Sequence, residues 1–267
     1  MLVASTLVAL LFLPAPSPPT VAWHKSFNLQ GRPEIQVVSN NADVRVYASD
    51  QKDIEAVLYT DKTIPADAVT GDAVTGHESG NHVKLDVRVP NQGEAGFSHD
   101  PTVLEVKIPL GCDIDVHSAN GSILVKSAEG KLSLHAENGN IEAVGISGTL
   151  DVESGHGDLK ADGNVTAVSL HTRTGNIAAQ IDPGSKMNSN WALRTGDGNV
   201  DLRLPADFST DLDVSSGDGN VRVDFPRAMF GGGGQSTMRG PINGGGQHLE
   251  VHSDKGNIMV RKIVGSV

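Results

Sequence analysis

From Gly111 onward the chain alternates apolar and polar residues in short pieces, and the same two pieces recur. The first reads Ile114-Asp115-Val116-His117, then Leu132-Ser133-Leu134-His135, Leu150-Asp151-Val152-Glu153 and Val168-Ser169-Leu170-His171. Later copies are Trp191-Ala192-Leu193-Arg194, Leu212-Asp213-Val214-Ser215 and Leu249-Glu250-Val251-His252. The second piece is shorter, as in Ile141-Glu142-Ala143, Leu159-Lys160-Ala161 and Val200-Asp201-Leu202. A period of two predicts strands with one face toward an interior. Between the pieces stands a turn phrase with glycine at Gly121, Gly139, Gly157, Gly175, Gly198, Gly219 and Gly256. The first three intervals are 18 residues each, the next 23 and 21, the last 37. Such a spacing marks a stacked repeat, and one copy holds too few Val, Leu and Ile to fold alone. The expected fold class is all-β, a β-solenoid of about 18-residue repeats over 111–267.

The same alternation upstream predicts an N-terminal β-strand region over 23–110, continuous with the solenoid as one unit. Its strands are Glu34-Ile35-Gln36-Val37, Asp43-Val44-Arg45-Val46-Tyr47, Val83 to Val89 and Val103 to Ile108, with Pro90 and Pro109 closing two of them. The stretches 62–80 and 91–101 read as loops, and no segment carries a helical stripe. The turn glycines are expected to supply the positive φ of a tight reversal. The residues after them are Ser122, Asn140, Asp158, Asn176, Asn199, Asn220 and Asn257. In a stack these form a structural column at about 4.8 Å spacing, in which Asn side chains hydrogen-bond along the pile. Insertions at 182–186, 205–207 and 226–246 explain the longer intervals. The glycine runs 231–234 and 244–246 lack the helix and the Lys-Ser/Thr of a phosphate loop, so they read as flexible links.

Composition narrows the picture further. Aromatics are 4% and glycines number 31, which suits a narrow interior of small aliphatic side chains. A formal net charge of −11 argues against nucleic acid and anionic membrane surfaces as partners. Cys112 is the single cysteine, so neither an internal disulfide nor a thiolate zinc site is available. Leu2 to Leu13 is an apolar run of 12 residues followed by four prolines within 14–19. That is short of the roughly 20 residues of a membrane span and fits a signal peptide, 1–22, cut after Thr20-Val21-Ala22. The mature chain is then exported, to the periplasm, the cell surface or the medium, with no transmembrane segment.

The opening strands from Glu34 through Asp43-Val44-Arg45-Val46 to Asp53-Ile54-Glu55-Ala56 resemble those of the putative adhesin, beta-strand-repeat family of bacterial envelope proteins. Val103 to Pro109 leading into Asn120-Gly121-Ser122-Ile123 is similar to its middle. Ile242-Asn243-Gly244-Gly245-Gly246, Leu249-Glu250-Val251 and Gly256-Asn257-Ile258 resemble its C-terminal close. The resemblance spans nearly all of the mature chain. It implies an exported, solenoid-like domain of unknown function, with no catalytic motif and no cofactor to carry over. The first copy departs from the pattern: Ala42 stands where the turn glycine belongs, and a looser turn is expected there.

Exposed positions also align between copies. The residues closing the first piece are His117, His135, Glu153, His171, Arg194, Ser215 and His252. Imidazoles and a carboxylate on neighbouring rungs are candidate zinc or copper ligands at His117, His135, Glu153 and His171, although stacked side chains run parallel rather than converge. Calcium turns are not met: Gly155-His156-Gly157-Asp158 puts the aspartate one residue early. Asp115, Asp151 and Asp213 align on one face, as the carboxylates of a polysaccharide-acting β-helix enzyme would. They are equally the ordinary output of strand alternation. The expected function is non-enzymatic, a structural or surface-binding role toward an unknown envelope or surface partner. Metal or glycan binding along the His/Asp columns, and glycan turnover, are the alternatives. Strand edges offer a route to self-association.

Overall fold

The computed structural model describes residues 20–29, 31–60, 74–89, 102–225 and 235–263. Most of the expected leader, the segment 91–101 and the glycine run 231–234 lie outside the described residues. Among the described residues there are twenty strands and no helix, hence no helix long and apolar enough to cross a membrane.

In chain order the N-terminal part supplies β1 (Thr20–Phe27), β2 (Glu34–Ser39), β3 (Asp43–Ser49), β4 (Ile54–Thr60), β5 (Val74–Ser79), β6 (His82–Val87) and β7 (Val103–Pro109). The repeats supply β8 (Asp113–Asn120), β9 (Ile123–Lys126), β10 (Glu129–Asn138), β11 (Ile141–His156), β12 (Leu159–Thr174) and β13 (Ile177–Ile181). They continue as β14 (Trp191–Asp197), β15 (Val200–Pro205), β16 (Thr210–Asp218), β17 (Val221–Val223), β18 (Thr237–Ile242), β19 (His248–Lys255) and β20 (Ile258–Ile263). Each rung crosses a first face, turns at the glycine corner and returns along a second face. The 16-residue strands β11 and β12 bend from the second face of one rung to the first face of the next.

Rungs pair in parallel and in register, so like residues lie over like. Ile114, Leu132 and Leu150 stack on the inside of the first face, and Ile123, Ile141, Leu159 and Ile177 on the inside of the second. All seven are at most 3% exposed, and together with their neighbours they form one continuous aliphatic core. Burying each such side chain stabilises the stack by roughly 1.5–3 kcal/mol. The stack also extends into the N-terminal region. There β2 and β3 lie directly on β8 and β9, so that region supplies rungs of the same solenoid.

The rungs do not stack in chain order at either end. The last rung, β19 and β20, lies between β14/β15 and β16/β17. At the other end β2/β3 lies between β6/β7 and β8/β9. The 37-residue interval before Gly256 explains the first case. It contains β18, which runs antiparallel along one edge of β16. The remaining edge of β16 faces β14, and β19 fills that slot.

Candidate functional site

The glycine corners form one column, ordered in space as Ala42, Gly121, Gly139, Gly157, Gly175, Gly198, Gly256 and Gly219. At each glycine an added Cβ would drive into the carbonyl of the residue beneath. At Gly157 it would sit 2.5 Å from the Gly139 carbonyl carbon and closer still to its oxygen. Left-handed φ is found at Gly139, Gly175 and Gly256, but not at Gly157 or Gly198. The requirement shared by all seven is therefore close approach between rungs, and the expectation of positive φ accounts for only part of the column.

Ala42, at the place of the glycine in the first copy, is fully buried, and Ser39 Oγ donates to its carbonyl at 2.9 Å. In the rung beyond it, the Val89 carbonyl accepts from the Asn40 and Asn41 side-chain amides at 2.9 and 2.8 Å.

Beside the glycines runs a ladder of side chains reaching the next rung's backbone. The Asp158 N–H donates to Asn140 Oδ1 at 2.8 Å, and the Asn176 N–H to Asp158 Oδ1 at 2.7 Å. The series continues from Asn199 to Asn176 at 2.9 Å, Asn257 to Asn199 at 2.8 Å and Asn220 to Asn257 at 3.0 Å. The Ser122 N–H donates to Asp43 Oδ1 at 2.8 Å. Side-chain amides also donate along the same ladder, from Asn176 Nδ2 to Asp158 Oδ1 at 3.1 Å and from Asn199 Nδ2 to Asn176 Oδ1 at 3.3 Å. A second, shorter ladder joins Asn41, Asn120 and Asn138.

An inward column that the alternation pattern hides completes the corner. Ser154, Thr172, Thr195, Ser253 and Ser216 point inside and donate to the carbonyls of Gly139, Gly157, Gly175, Gly198 and Gly256 at 2.8–3.1 Å. Ala136 occupies this position in one rung. Ser118 occupies it in another, with its hydroxyl buried and unpartnered. The available signal was a hydroxyl residue three positions before most of the glycines.

On the outer first face, register places His117 beside His135, His135 beside Glu153, and Glu153 beside His171. The His117 and His135 rings lie 5.5 Å apart at 41°. His135 Nδ1 is 3.5 Å from Glu153, while His117 Nε2 turns to Asp115, 3.0 Å away on its own strand. The column then runs Arg194, His252, Ser215, with the Ser215 hydroxyl 2.8 Å from His252 Nδ1. Parallel rungs hold these side chains side by side. Among the described residues no three of His, Cys, Asp or Glu come together as an ion would need. Asp115, Asp151 and Asp213 share a face but are not neighbours. Asp115 binds Gln36 at 2.9 Å, Asp151 lies beside Ser133 and Ser169, and Asp213 pairs with Arg239 at 2.8 Å.

Charges elsewhere mostly pair across rungs. Arg194 meets Glu250 at 2.5 Å and holds its carboxyl below the usual range. Lys160 meets Glu142 at 2.6 Å, and Lys255 meets Asp197 at 3.0 Å. Asp201 takes both Arg203 and Arg261. Burial acts to raise the Asp113 carboxyl, but the Lys131 N–H and the Arg32 guanidinium more than offset it, and the net shift is downward.

A single family profile matches residues 33–178 and, overlapping, 113–261, spans that contain every corner of the column. The chain belongs to the Toastrack DUF4097 family. The two overlapping matches each cover a run of rungs, as a repeat fold allows. No curated protein matches the chain. Among solved structures, a putative cell adhesion protein from Clostridium sporogenes is 12% identical, with TM-score 0.46, covering 92% of this chain and 100% of that one. A putative adhesin from Bacteroides fragilis is 14% identical, with TM-score 0.48, covering 90% and 96%. A putative lipid binding protein from Parabacteroides distasonis is 12% identical, with TM-score 0.38, covering 91% and 96%.

Proposed function

We propose that this Toastrack chain is an exported, non-enzymatic protein of the cell envelope that binds another surface through its rigid outer faces. The observation that carries the reading is the arrangement of those faces. Their side chains stand in rows joined by rung-to-rung pairs such as Lys160–Glu142, Arg194–Glu250 and Lys255–Asp197. A regular polar array is suited to contact over an area, and a filled aliphatic interior backs it. The apolar run 2–13 with its prolines supports export.

Two measurements test this. Fractionation of cells producing the full chain should place it outside the cytoplasm. The purified chain should be retained on envelope fragments saturably, and retention should weaken with salt. Recovery only in the cytoplasm would sink the export half, and no retention at any salt would sink the binding half.

A further inference from the structure

Three inserted segments meet at the corner opposite the glycines, near the C-terminal end of the stack. They are 182–190 between β13 and β14, 206–209 between β15 and β16, and 243–247 between β18 and β19. In the regular rungs this corner is closed by direct stacking: Gly148 lies on Gly130, and a Cβ on it would strike the Gly130 backbone. Where the insertions lie, the corner opens into a cavity of about 550 Å³. That is within the range of small-molecule sites, roughly 300–1,000 Å³.

The walls are held in place before any ligand arrives. Asn243 Nδ2 donates to the Ala206 and Phe208 carbonyls at 2.8 and 2.9 Å, and Ser209 Oγ donates to the Asn243 carbonyl at 3.1 Å. The His248 N–H, at the start of β19, donates to Asn190 Oδ1 at 3.1 Å, tying the end of the first segment to the strand that follows the third. Gly245, at φ +82°, lines the cavity where a Cβ would lie 2.6 Å from Asp211 Oδ1. The base is rigid too: Phe208 packs on Trp191 with ring centroids 5.3 Å apart, and the Trp191 indole donates to the Thr166 carbonyl at 3.2 Å.

The geometry points to a binding site for one or two units of an uncharged glycan, and this rests on the surface-binding reading above. Three exposed side chains on the wall, Lys186, Asp207 and Gln247, have no hydrogen-bond or ion-pair partner among the described residues. One donates, one accepts and one does both, and the two charges cancel. Sugar hydroxyls both donate and accept, so they match such a set, whereas a phosphorylated ligand needs excess cation. Met187, half-buried, offers apolar surface to the C–H face of a pyranose, with the buried Pro205 and Phe208 behind it. A peptide added as a strand would need a free edge, and β14, β19 and β16 are each paired on both sides.

Trp191 reports on the site through Phe208. In a Trp23→Phe background it is the only tryptophan. Titration with cellobiose, maltose and N,N′-diacetylchitobiose should give a saturable change in its emission with at least one of them. Asp207→Ala and Gln247→Ala should each weaken that binding about ten-fold, the worth of one hydrogen bond to a charged or buried polar partner. Their melting temperatures should not move, since both side chains are exposed. Saturation-transfer NMR on the unsubstituted chain repeats the measurement should Trp23→Phe fold poorly. No saturable signal with any of the three sugars by either method would overturn the inference. So would preferential binding of a short Gly-Ser peptide, or binding indifferent to both substitutions. Envelope retention that survives while sugar binding fails would remove this site and leave the surface-binding reading standing. Sugar binding without envelope retention would do the reverse.

Discussion

Replacing Gly157 by alanine separates two explanations of the corner glycines. If glycine were needed for its φ, alanine at this position would be tolerated, because Gly157 is not left-handed. If it is needed for close approach, alanine fails as soon as its Cβ exists. The added atom would lie 2.5 Å from the Gly139 carbonyl carbon and 3.0 Å from the Asn140 nitrogen, both main-chain atoms of the neighbouring rung. Neither can rotate away, so the rungs must part. Four hydrogen bonds cross that interface at the corner: Gly139 N–H to His156 O at 2.9 Å, Ile141 N–H to Asp158 O at 3.0 Å, Asp158 N–H to Asn140 Oδ1 at 2.8 Å, and Ser154 Oγ to Gly139 O at 3.1 Å. At roughly 1 kcal/mol each, losing two to four of them costs about 2–4 kcal/mol. Urea unfolding of the purified chain, followed by far-UV circular dichroism, measures it. Gly111→Ala is the control, since nothing lies within 4 Å of the added atom there. A Gly157→Ala chain within about 0.5 kcal/mol of the parent would refute the close-approach argument.

The inward hydroxyl column predicts opposite signs at two positions. Thr172→Val removes the donor to Gly157 O and should cost about 1 kcal/mol, whereas Ser118→Ala removes a buried, unpartnered hydroxyl and should leave stability unchanged or raise it by up to about 1 kcal/mol in the same urea assay. Asp113 and Glu250 have folded pKa values below their ordinary ones. Their contribution is therefore complete above the ordinary carboxylate range, near pH 4, and is lost as pH falls through the lower folded values. Thermal melts should accordingly decline only below about pH 4, and Asp113→Asn with Glu250→Gln should flatten that acid limb. Burial pushes the Cys112 thiol up to about 12, so an aromatic disulfide reagent should label it only at the rate of unfolding. Rapid labelling of the native chain would contradict its burial.

The repeat was legible because two local signals coincide in it, a period of two in the strands and glycine at a fixed interval. What those signals leave open is how rungs approach one another. Parallel ladders are made by backbone groups, and Leu249-Glu250-Val251-His252 would fit against any rung of the first face. Its insertion between β14 and β16 follows from where β18 lies, and no residue in the piece itself announces that. The glycine column was read from turn chemistry, which is local. Its decisive constraint is a carbonyl some 18 residues away in sequence. Ser154 and Thr172 were hidden for the opposite reason: a hydroxyl at an inward position looks like a lapse in the apolar pattern unless the glycine carbonyl it serves is in view. The residues from His117 to His171 stand side by side on neighbouring rungs, and that same stacking geometry explains why they do not gather around a point. The insertions at 182–186 and 205–207 were visible as loops, whereas 226–246 reads the same way and yet holds β18. That three of them share one corner depends on rung order, which the sequence does not reveal.

The out-of-order rungs bear on how a solenoid of this kind ends. A stack built strictly in sequence would finish on a parallel strand whose free backbone groups match the next copy's first rung, an open template for end-to-end growth. Here the first face ends instead on β18, antiparallel to β16, with Pro241 opposite Asp211. Proline has no N–H to give, so one position of the ladder could never be extended. On the second face β17 is only three residues long. At the N-terminal end the antiparallel strands β5 on one face and β4 with β1 on the other play the same part. Covering an end with a reversed strand requires the chain to leave the stack and come back, and the return passes inward of the strand already laid down. The displaced order of β19/β20 and of β2/β3 is thus tied to the closing of both ends. Self-association through the strand edges would have to proceed against these reversed strands, whereas nothing among the described residues covers the two faces, where the rows of paired charges lie.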